Sequence, residues 1–196
     1  DLFVQLLHEQ PVHWIGETRA AIEGLQVYPR TDSGALTTWV GVGGSPQSVV
    51  RAARHGLPLM IAIIGGERHR FQPFVELYHR ALREFGHPAL PVGVHSPGHI
   101  AESDELARDQ LFAHMKAMRD KIGAERGWGP MSRAEYDLSA GPSGALYVGS
   151  PETVARKIAS TARTLGLTRF DLKYSAGTLP HELKMRSIEL YGTEVI

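Results

Sequence analysis

Two kinds of hydrophobic periodicity alternate along this chain. Short runs that are apolar throughout, or at every second position, predict four strands at 37–42, 59–64, 90–95 and 170–174. Apolar residues three or four positions apart predict helices at 46–55, in the segment that ends near 85, and at 103–125, 151–165 and 180–191. Each strand-to-strand connection is long enough for a crossover helix, so the pattern predicts a parallel sheet and an α/β fold.

Two regions lie outside this alternation, at the N-terminus and in a polar excursion. The N-terminal region is predicted to form a helix and a small hairpin with arms at 12–16 and 22–28. The excursion is rich in glycine and proline, with room for one short helix at 132–138. We therefore expect one domain, made of a helix and hairpin (1–30), βα units (37–126), the excursion (127–146) and a final helix-strand-helix segment (147–196).

The chain opens on apolar residues at helical spacing, from Leu2 onward, without an initiating methionine. No lead-in precedes this helix, which leads us to expect a fragment whose preceding residues are missing.

The junction between the first predicted strand and its helix favours anion binding. The strand runs through Gly43 and Gly44 into a helix that begins with Ser45 at the cap and Pro46 at the first helical position. Glycine lets the backbone approach a ligand closely, and the first-turn N–H groups and the helix dipole favour negative charge. The pattern predicts a phosphate on Gly44, Ser45 and the Ser48 hydroxyl, and an ordinary capped turn is the alternative.

One sequence unit occurs twice. Residues 44–51 read GSPQSVVR, and residues 149–156 read GSPETVAR. Four βα units are half of an eight-unit barrel, so a (β/α)8 barrel that lacks its first half is the preferred architecture. An open doubly wound sheet is the alternative.

Composition excludes several kinds of partner. The chain has 196 residues, with 21 Lys plus Arg balanced by 21 Asp plus Glu, so no field of one sign attracts nucleic acid or an anionic membrane. No apolar run approaches the ~20 residues of a membrane span, and no secretion signal is visible, so a cytoplasmic location is expected. The absence of cysteine excludes disulfides and thiolate metal sites.

Further candidate residues lie at the ends of predicted strands. Gly65 and Gly66 end the second strand, where their backbone is a candidate for contact with a cofactor. His95 and Tyr174, at the ends of the third and last strands, are candidates for lining a substrate or cofactor pocket. The turn expected between His95 and His99 argues against a metal pair, and no metal is predicted. No catalytic residue is assigned.

Three segments carry a resemblance to a known family. Residues 39–46 read WVGVGGSP, residues 56–60 read GLPLM, and residues 146–154 read LYVGSPETV. In combination they resemble the bacterial luciferase-like, flavin-dependent monooxygenases. The likeness covers essentially the whole chain and corresponds to the carboxyl-terminal half of that family's (β/α)8 TIM barrel, about its last four βα units.

The resemblance implies a flavoprotein. The turn that binds the FMN phosphate in the family corresponds to Gly43, Gly44, Ser45 and Ser48. The resemblance also implies reduced FMN and O2 acting on a small organic substrate such as an aldehyde, and a homo-oligomer of the full-length protein. The reducing power would come from a separate flavin reductase or from a nicotinamide donor. The family's arginine and histidine near the flavin belong to the first four units, so we expect this chain alone not to reach submicromolar affinity for FMN.

Other functions remain open at this point. An oxidoreductase that transfers hydride with coenzyme F420 would share the barrel and the phosphate turn. A flavin-binding homologue without turnover belongs to another class. A phosphate-binding barrel lyase or isomerase is weaker, because Lys173 is the only lysine well placed at a strand end.

Overall fold

The computed structural model describes residues 1–31 and 36–196, which form two compact units, Asp1–Trp39 and Val40–Ile196. The first unit contains α1 (Leu2–Leu7) and two antiparallel strands, β1 (Val12–Trp14) and β2 (Ile22–Leu25). Val12 and Ile22 are its buried apolar side chains among the described residues. The predicted helix and hairpin are therefore both present.

The second unit is built on a parallel sheet. Its strands are β3 (Val40–Val42), β4 (Leu59–Ala62), β5 (Val92–Ile100), β6 (Tyr147–Gly149) and β7 (Arg169–Lys173). The order is β3-β4-β5-β6, and β7 also pairs with β5. Every pairing in this sheet is parallel, which confirms the predicted α/β fold.

Helices follow the strands, and all of them except the last lie in the connection between two strands. They are α2 (Pro46–Arg54), α3 (Gln72–Glu84), α4 (Asp104–Arg126), α5 (Arg133–Ala140), α6 (Pro151–Leu165) and α7 (His181–Leu190). A 3-10 turn, Arg68–Phe71, precedes α3, and a π turn, Tyr191–Val195, follows α7. No helix in the described part of the chain is both long and apolar enough to cross a lipid bilayer.

The two faces of the sheet differ because side chains alternate along each strand. Val42, Ile61 and Val94 belong to one buried cluster that also contains Val49 and Ala52 of α2. The alternate positions hold Met60 and several small or polar residues, and the strand register aligns Ala62, His95 and Asp171 in one row across β4, β5 and β7. His95 and Asp171 therefore give this second face two neighbouring polar side chains.

The structure corrects the predicted end of β5. The sequence pattern ends this strand at His95 and puts a turn at residues 96–98, but β5 continues to Ile100. Pro97 lacks an N–H group, which usually breaks a strand. Here Pro97 is the last β5 residue paired with β7, and Gly98 begins the pairing with β6. A Cβ at Gly98 would collide with the carbonyl oxygen of Tyr147, so a glycine is required there.

Strand β6 was not predicted. Its three residues, Tyr147–Gly149, are too few to show a period, and they follow the polar excursion directly. All three are buried, and the hydroxyl of Tyr147 hydrogen-bonds the Thr161 hydroxyl at 2.7 Å. The strand therefore depends on its packing partners and not on its own pattern.

Candidate functional site

The turn that joins β3 to α2, residues Gly43–Ser48, lies at the carboxyl end of the sheet. Ser45 caps α2, since its side chain accepts the N–H of Ser48 at 3.3 Å, and Pro46 is the first helical residue. Gly43 and Gly44 are exposed, and Ser45 and Ser48 are half-buried. In parallel α/β sheets, ligands bind at this edge, so the turn is placed where a cofactor is expected.

The turn leaves its polar groups open. A Cβ built at Gly43 or Gly44 would meet no atom of residues 1–31 or 36–196 within 4 Å, and Gly44 has a φ of 138°, a conformation that favours glycine. Among the described residues, none accepts the N–H groups of Gly44 or Gln47 or bonds the Ser48 hydroxyl. These donors at a helix N-terminus fit a phosphate group.

One detail differs from the predicted donor set. The Ser45 hydroxyl donates to the side-chain oxygen of Gln47 at 3.1 Å while it accepts the Ser48 N–H. Its contribution to an anion is therefore through the backbone, unless Gln47 turns away. The Ser48 hydroxyl remains a side-chain donor of this turn.

The repeated unit, at Gly149–Thr153, has the same cap with a different outcome. Ser150 accepts the N–H of Thr153 at 3.4 Å and Pro151 begins α6. Here a carboxylate of the protein covers the helix start: Asp104 accepts the Ser150 N–H at 2.7 Å and the Thr153 hydroxyl at 3.0 Å. The second turn therefore already holds an anion.

The electrostatics of Asp104 agree with that position. Burial favours the neutral acid, but hydrogen bonds from the Ser150 N–H and the Thr153 hydroxyl outweigh it, so the pKa of Asp104 is lowered from its usual value. Asp104 is also the first residue of α4, after the Ser103 cap, so one carboxylate serves the N-termini of two helices.

The other predicted site residues lie in or directly after strands of the same sheet. Gly65 and Gly66 are exposed and follow β4, and Gly66 has a φ of 76°. His95 is half-buried in the middle of β5, with Ala62 and Asp171 as its neighbours in register. Tyr174 is 45% exposed and directly follows β7.

His99 is separate from His95. Four residues of extended strand put about 13 Å between them along β5. His99 is fully buried, its Nε2 lies 2.8 Å from the side-chain oxygen of Gln110, and burial lowers its pKa. Within residues 1–31 and 36–196, no three His, Asp or Glu side chains form a group that could hold a metal ion.

Two features of this region escaped the sequence interpretation. Asp104 looked like an ordinary acidic first-turn residue of α4, because its partners lie 46 and 49 positions away. Lys157 was not singled out, although it falls between Val154 and Thr161 on the buried stripe of α6. A lysine at a core position of an amphipathic helix was the signal available for it.

Comparison with known proteins gives a family match. The family model of luciferase-like monooxygenases matches residues 1–169 of the chain. No curated protein shows significant sequence similarity to it.

Three solved structures share the fold. Monooxygenase RslO1 from Streptomyces bottropensis has a TM-score of 0.76 and 21% identity, covering 98% of this chain and 57% of that one. The FMN complex of the oxygenating constituent of 3,6-diketocamphane monooxygenase from Pseudomonas putida has a TM-score of 0.67 and 19% identity, with 99% and 59% covered. The coenzyme F420-dependent tetrahydromethanopterin reductase from Methanopyrus kandleri has a TM-score of 0.64 and 18% identity, with 99% and 60% covered. This chain thus spans less than two thirds of each.

Proposed function

Because this chain belongs to the luciferase-like monooxygenase family, we propose that it is part of an oxidoreductase that uses reduced FMN and O2 to oxidise a small organic substrate of the aldehyde type. A bound reduced flavin supplies the electrons for such a reaction, and the protein supplies binding, orientation and exclusion of water. A separate flavin reductase would provide the reduced cofactor, and the full-length protein would be a homo-oligomer.

The contrast between the two Ser-Pro turns carries the cofactor assignment. They have nearly the same sequence, and the Gly149–Thr153 turn is closed by Asp104 while the Gly43–Ser48 turn has open donors. An anion that comes from outside the chain completes the first turn as Asp104 completes the second. The phosphate of FMN has the charge and the acceptor oxygens for this role.

The remaining site residues extend from the phosphate turn along the edge of the sheet. The backbone of Gly65 and Gly66 would approach the cofactor, since neither residue presents a side chain to it. His95, within β5, and Tyr174, directly after the neighbouring strand β7, would line the pocket for the ring or the substrate. The half-buried imidazole of His95 offers a hydrogen bond to a polar atom of the bound molecule.

A second candidate is hydride transfer with coenzyme F420. Two structural neighbours are F420-dependent, the tetrahydromethanopterin reductase and a secondary alcohol dehydrogenase, the latter with a TM-score of 0.67 and 12% identity. The same open turn would then hold the phosphate of the deazaflavin.

The two cofactors are separated by titration and turnover. The chain is titrated anaerobically with reduced FMN and with reduced F420, by fluorescence, and O2 consumption is then followed after aeration with a panel of aldehydes. Preferential binding of FMN and aldehyde-dependent O2 consumption support the monooxygenase. F420 binding without O2 consumption supports hydride transfer. Binding of FMN with no turnover by the full-length protein would indicate a flavin-binding homologue, and binding of neither cofactor to that protein would refute both.

A further inference from the structure

One cavity of the Val40–Ile196 unit lies away from the Gly43–Ser48 turn. None of the described residues that line it belongs to that turn. It has a volume of about 330 Å³ and lies among the Arg68–Phe71 turn, the start of α4 and the first half of α6. Its charged and hydroxyl-bearing lining includes Arg68, Asp104, Arg108, Arg156, Lys157 and Ser160.

The lining has an excess of positive charge. Among the residues that the structure describes, the lining has four cationic side chains and one carboxylate, that of Asp104. Arg156 is exposed and pairs with Glu152 on the surface of α6, so it is compensated locally. Asp104 offsets one further cation, but its oxygens already accept bonds from Ser150 and Thr153. Asp104 is therefore the one negative charge in the described lining that can compensate Arg68, Arg108 and Lys157, and it is too little to neutralise all three.

Lys157 is the most constrained of these cations. It is 7% exposed, and its ammonium group donates to the carbonyl oxygens of Gly141 and Leu146, each at 2.6 Å. Burial, and then the positive charges of Arg68 and Arg108, lower its pKa to about 7. Keeping Lys157 protonated in the folded protein therefore costs free energy, and a bound anion would offset that cost.

The two arginines keep donors for a ligand. Arg68 reaches the carbonyl oxygen of Pro142 and, at 3.0 Å, the hydroxyl of Ser160, which fixes its guanidinium at the cavity wall. The Nε of Arg108 is buried and has no hydrogen-bond partner among the described residues. A buried donor without an acceptor is costly. Arg108 also lines the cavity, so an oxyanion bound there would lie beside its guanidinium group.

We propose that this cavity binds a tetrahedral oxyanion, either free phosphate or the phosphoryl group of a phosphate monoester, between Arg68, Arg108, Lys157 and Ser160. Guanidinium groups match phosphate oxygens in geometry, and the serine hydroxyl adds a neutral donor. The volume accommodates a phosphoryl group with a small organic substituent. The site is independent of the flavin assignment, because it uses none of the residues of the Gly43–Ser48 turn.

The test is calorimetric titration of the 196-residue chain in a chloride buffer at constant ionic strength. One arm uses inorganic phosphate, and the other uses glycerol 3-phosphate. We expect saturable binding of phosphate, about tenfold weaker in Arg108→Gln and in Ser160→Ala. Arg163→Gln is the matched control, because Arg163 is exposed and lies near the end of α6, the helix that carries Ser160. This variant should bind phosphate as the unmodified chain does. Circular dichroism verifies that each variant is folded.

The outcomes separate the possibilities. Binding of both ligands identifies a phosphoryl site that accepts an ester, and binding of phosphate alone identifies a site for the free anion. No saturable binding by the unmodified chain overturns the proposal. An equal loss of phosphate affinity in Arg163→Gln and Arg108→Gln also overturns it, because the loss would then come from the change in net charge and not from a specific site. Flavin affinity, measured in parallel, should be unchanged in Ser160→Ala, so a failure of the flavin assignment remains distinguishable.

Discussion

The Gly43–Ser48 turn and the Gly149–Thr153 turn start from the same Gly-Ser-Pro sequence and reach different states. In both, a serine caps a helix whose first residue is proline. The second turn is covered by Asp104, while the first has room at both glycines and donors that no described residue accepts. The comparison teaches that the Gly-Ser-Pro sequence alone does not decide whether a turn is open to an external anion. What decides is whether the rest of the fold brings a carboxylate to the same place.

The largest effect should come from removing the internal anion. Asp104→Ala leaves the Ser150 N–H and the Thr153 hydroxyl without their acceptor, and we expect a loss of about 3 kcal/mol in the free energy of unfolding. Urea denaturation measures it. Asp109→Ala is the control on the same helix, because Asp109 forms an exposed ion pair with Arg133 and should cost at most about 1 kcal/mol. Equal losses in the two variants would show that Asp104 is not a structural anion.

The helix that begins at the closed turn also carries the buried Lys157, which predicts a pH dependence. Its folded pKa, about 7, lies below the unfolded value, so the unfolded chain binds more protons above pH 7. This contribution to the free energy of unfolding therefore rises with pH, by about 2 kcal/mol from pH 7 to pH 9. Denaturation at several pH values measures the slope. Lys157→Met should lack this rise and exposed Lys121→Met should keep it, whereas a slope that survives in Lys157→Met contradicts the assignment.

The space around the glycine that precedes each Ser-Pro cap differs between the two turns. A Cβ at Gly149 would lie 2.7 Å from an Asp104 oxygen and 2.9 Å from the Thr153 methyl group, so Gly149→Ala should cost about 2 kcal/mol. In the described part of the chain, the new Cβ of Gly44→Ala meets no atom within 4 Å, so the cost comes from the φ of 138° and is about 1 kcal/mol. Thermal unfolding of the two variants provides the measurement. A larger loss for Gly44→Ala would reverse our view of which turn is open.

The smallest effect on stability should accompany a clear effect on binding. Ser48→Ala removes a hydroxyl that has no partner among the described residues, so the free energy of unfolding should change by less than about 0.5 kcal/mol. FMN affinity should fall several-fold, because a phosphate oxygen loses a donor. Thr153→Ala, at the equivalent position of the other turn, should have the opposite profile: lower stability and unchanged FMN affinity. Fluorescence titration and urea denaturation together check both.

Most of the fold could be predicted from the sequence, because strong local signals agree with the packing. The Ser-Pro caps of α2 and α6 and the apolar run from Leu59 onward define their elements without reference to other parts of the chain. The strand extension through Pro97 and the short strand β6 escaped prediction because both depend on partners that are distant in sequence.

The candidate site was predictable only in part. The sequence indicates a turn with phosphate chemistry at residues 43–48, but it does not show that Asp104 fills the equivalent position 46 residues before Ser150. The cluster of Arg68, Arg108 and Lys157 draws on three elements, and no spacing rule connects them. The roles of Gly65, Gly66, His95 and Tyr174, and the single-domain organisation, stay predictions.

The most direct test of the open turn is the ratio of the dissociation constants of riboflavin and FMN, measured for the unmodified chain and for Gly44→Val by fluorescence quenching. Because the two flavins differ only in the phosphate, the ratio reports that group whatever the absolute affinity is. We expect the unmodified chain to bind FMN at least about tenfold more tightly than riboflavin, with a ratio near one in folded Gly44→Val. Equal affinities in the unmodified chain, or an unchanged preference in Gly44→Val, would contradict the assignment of this turn to the phosphate.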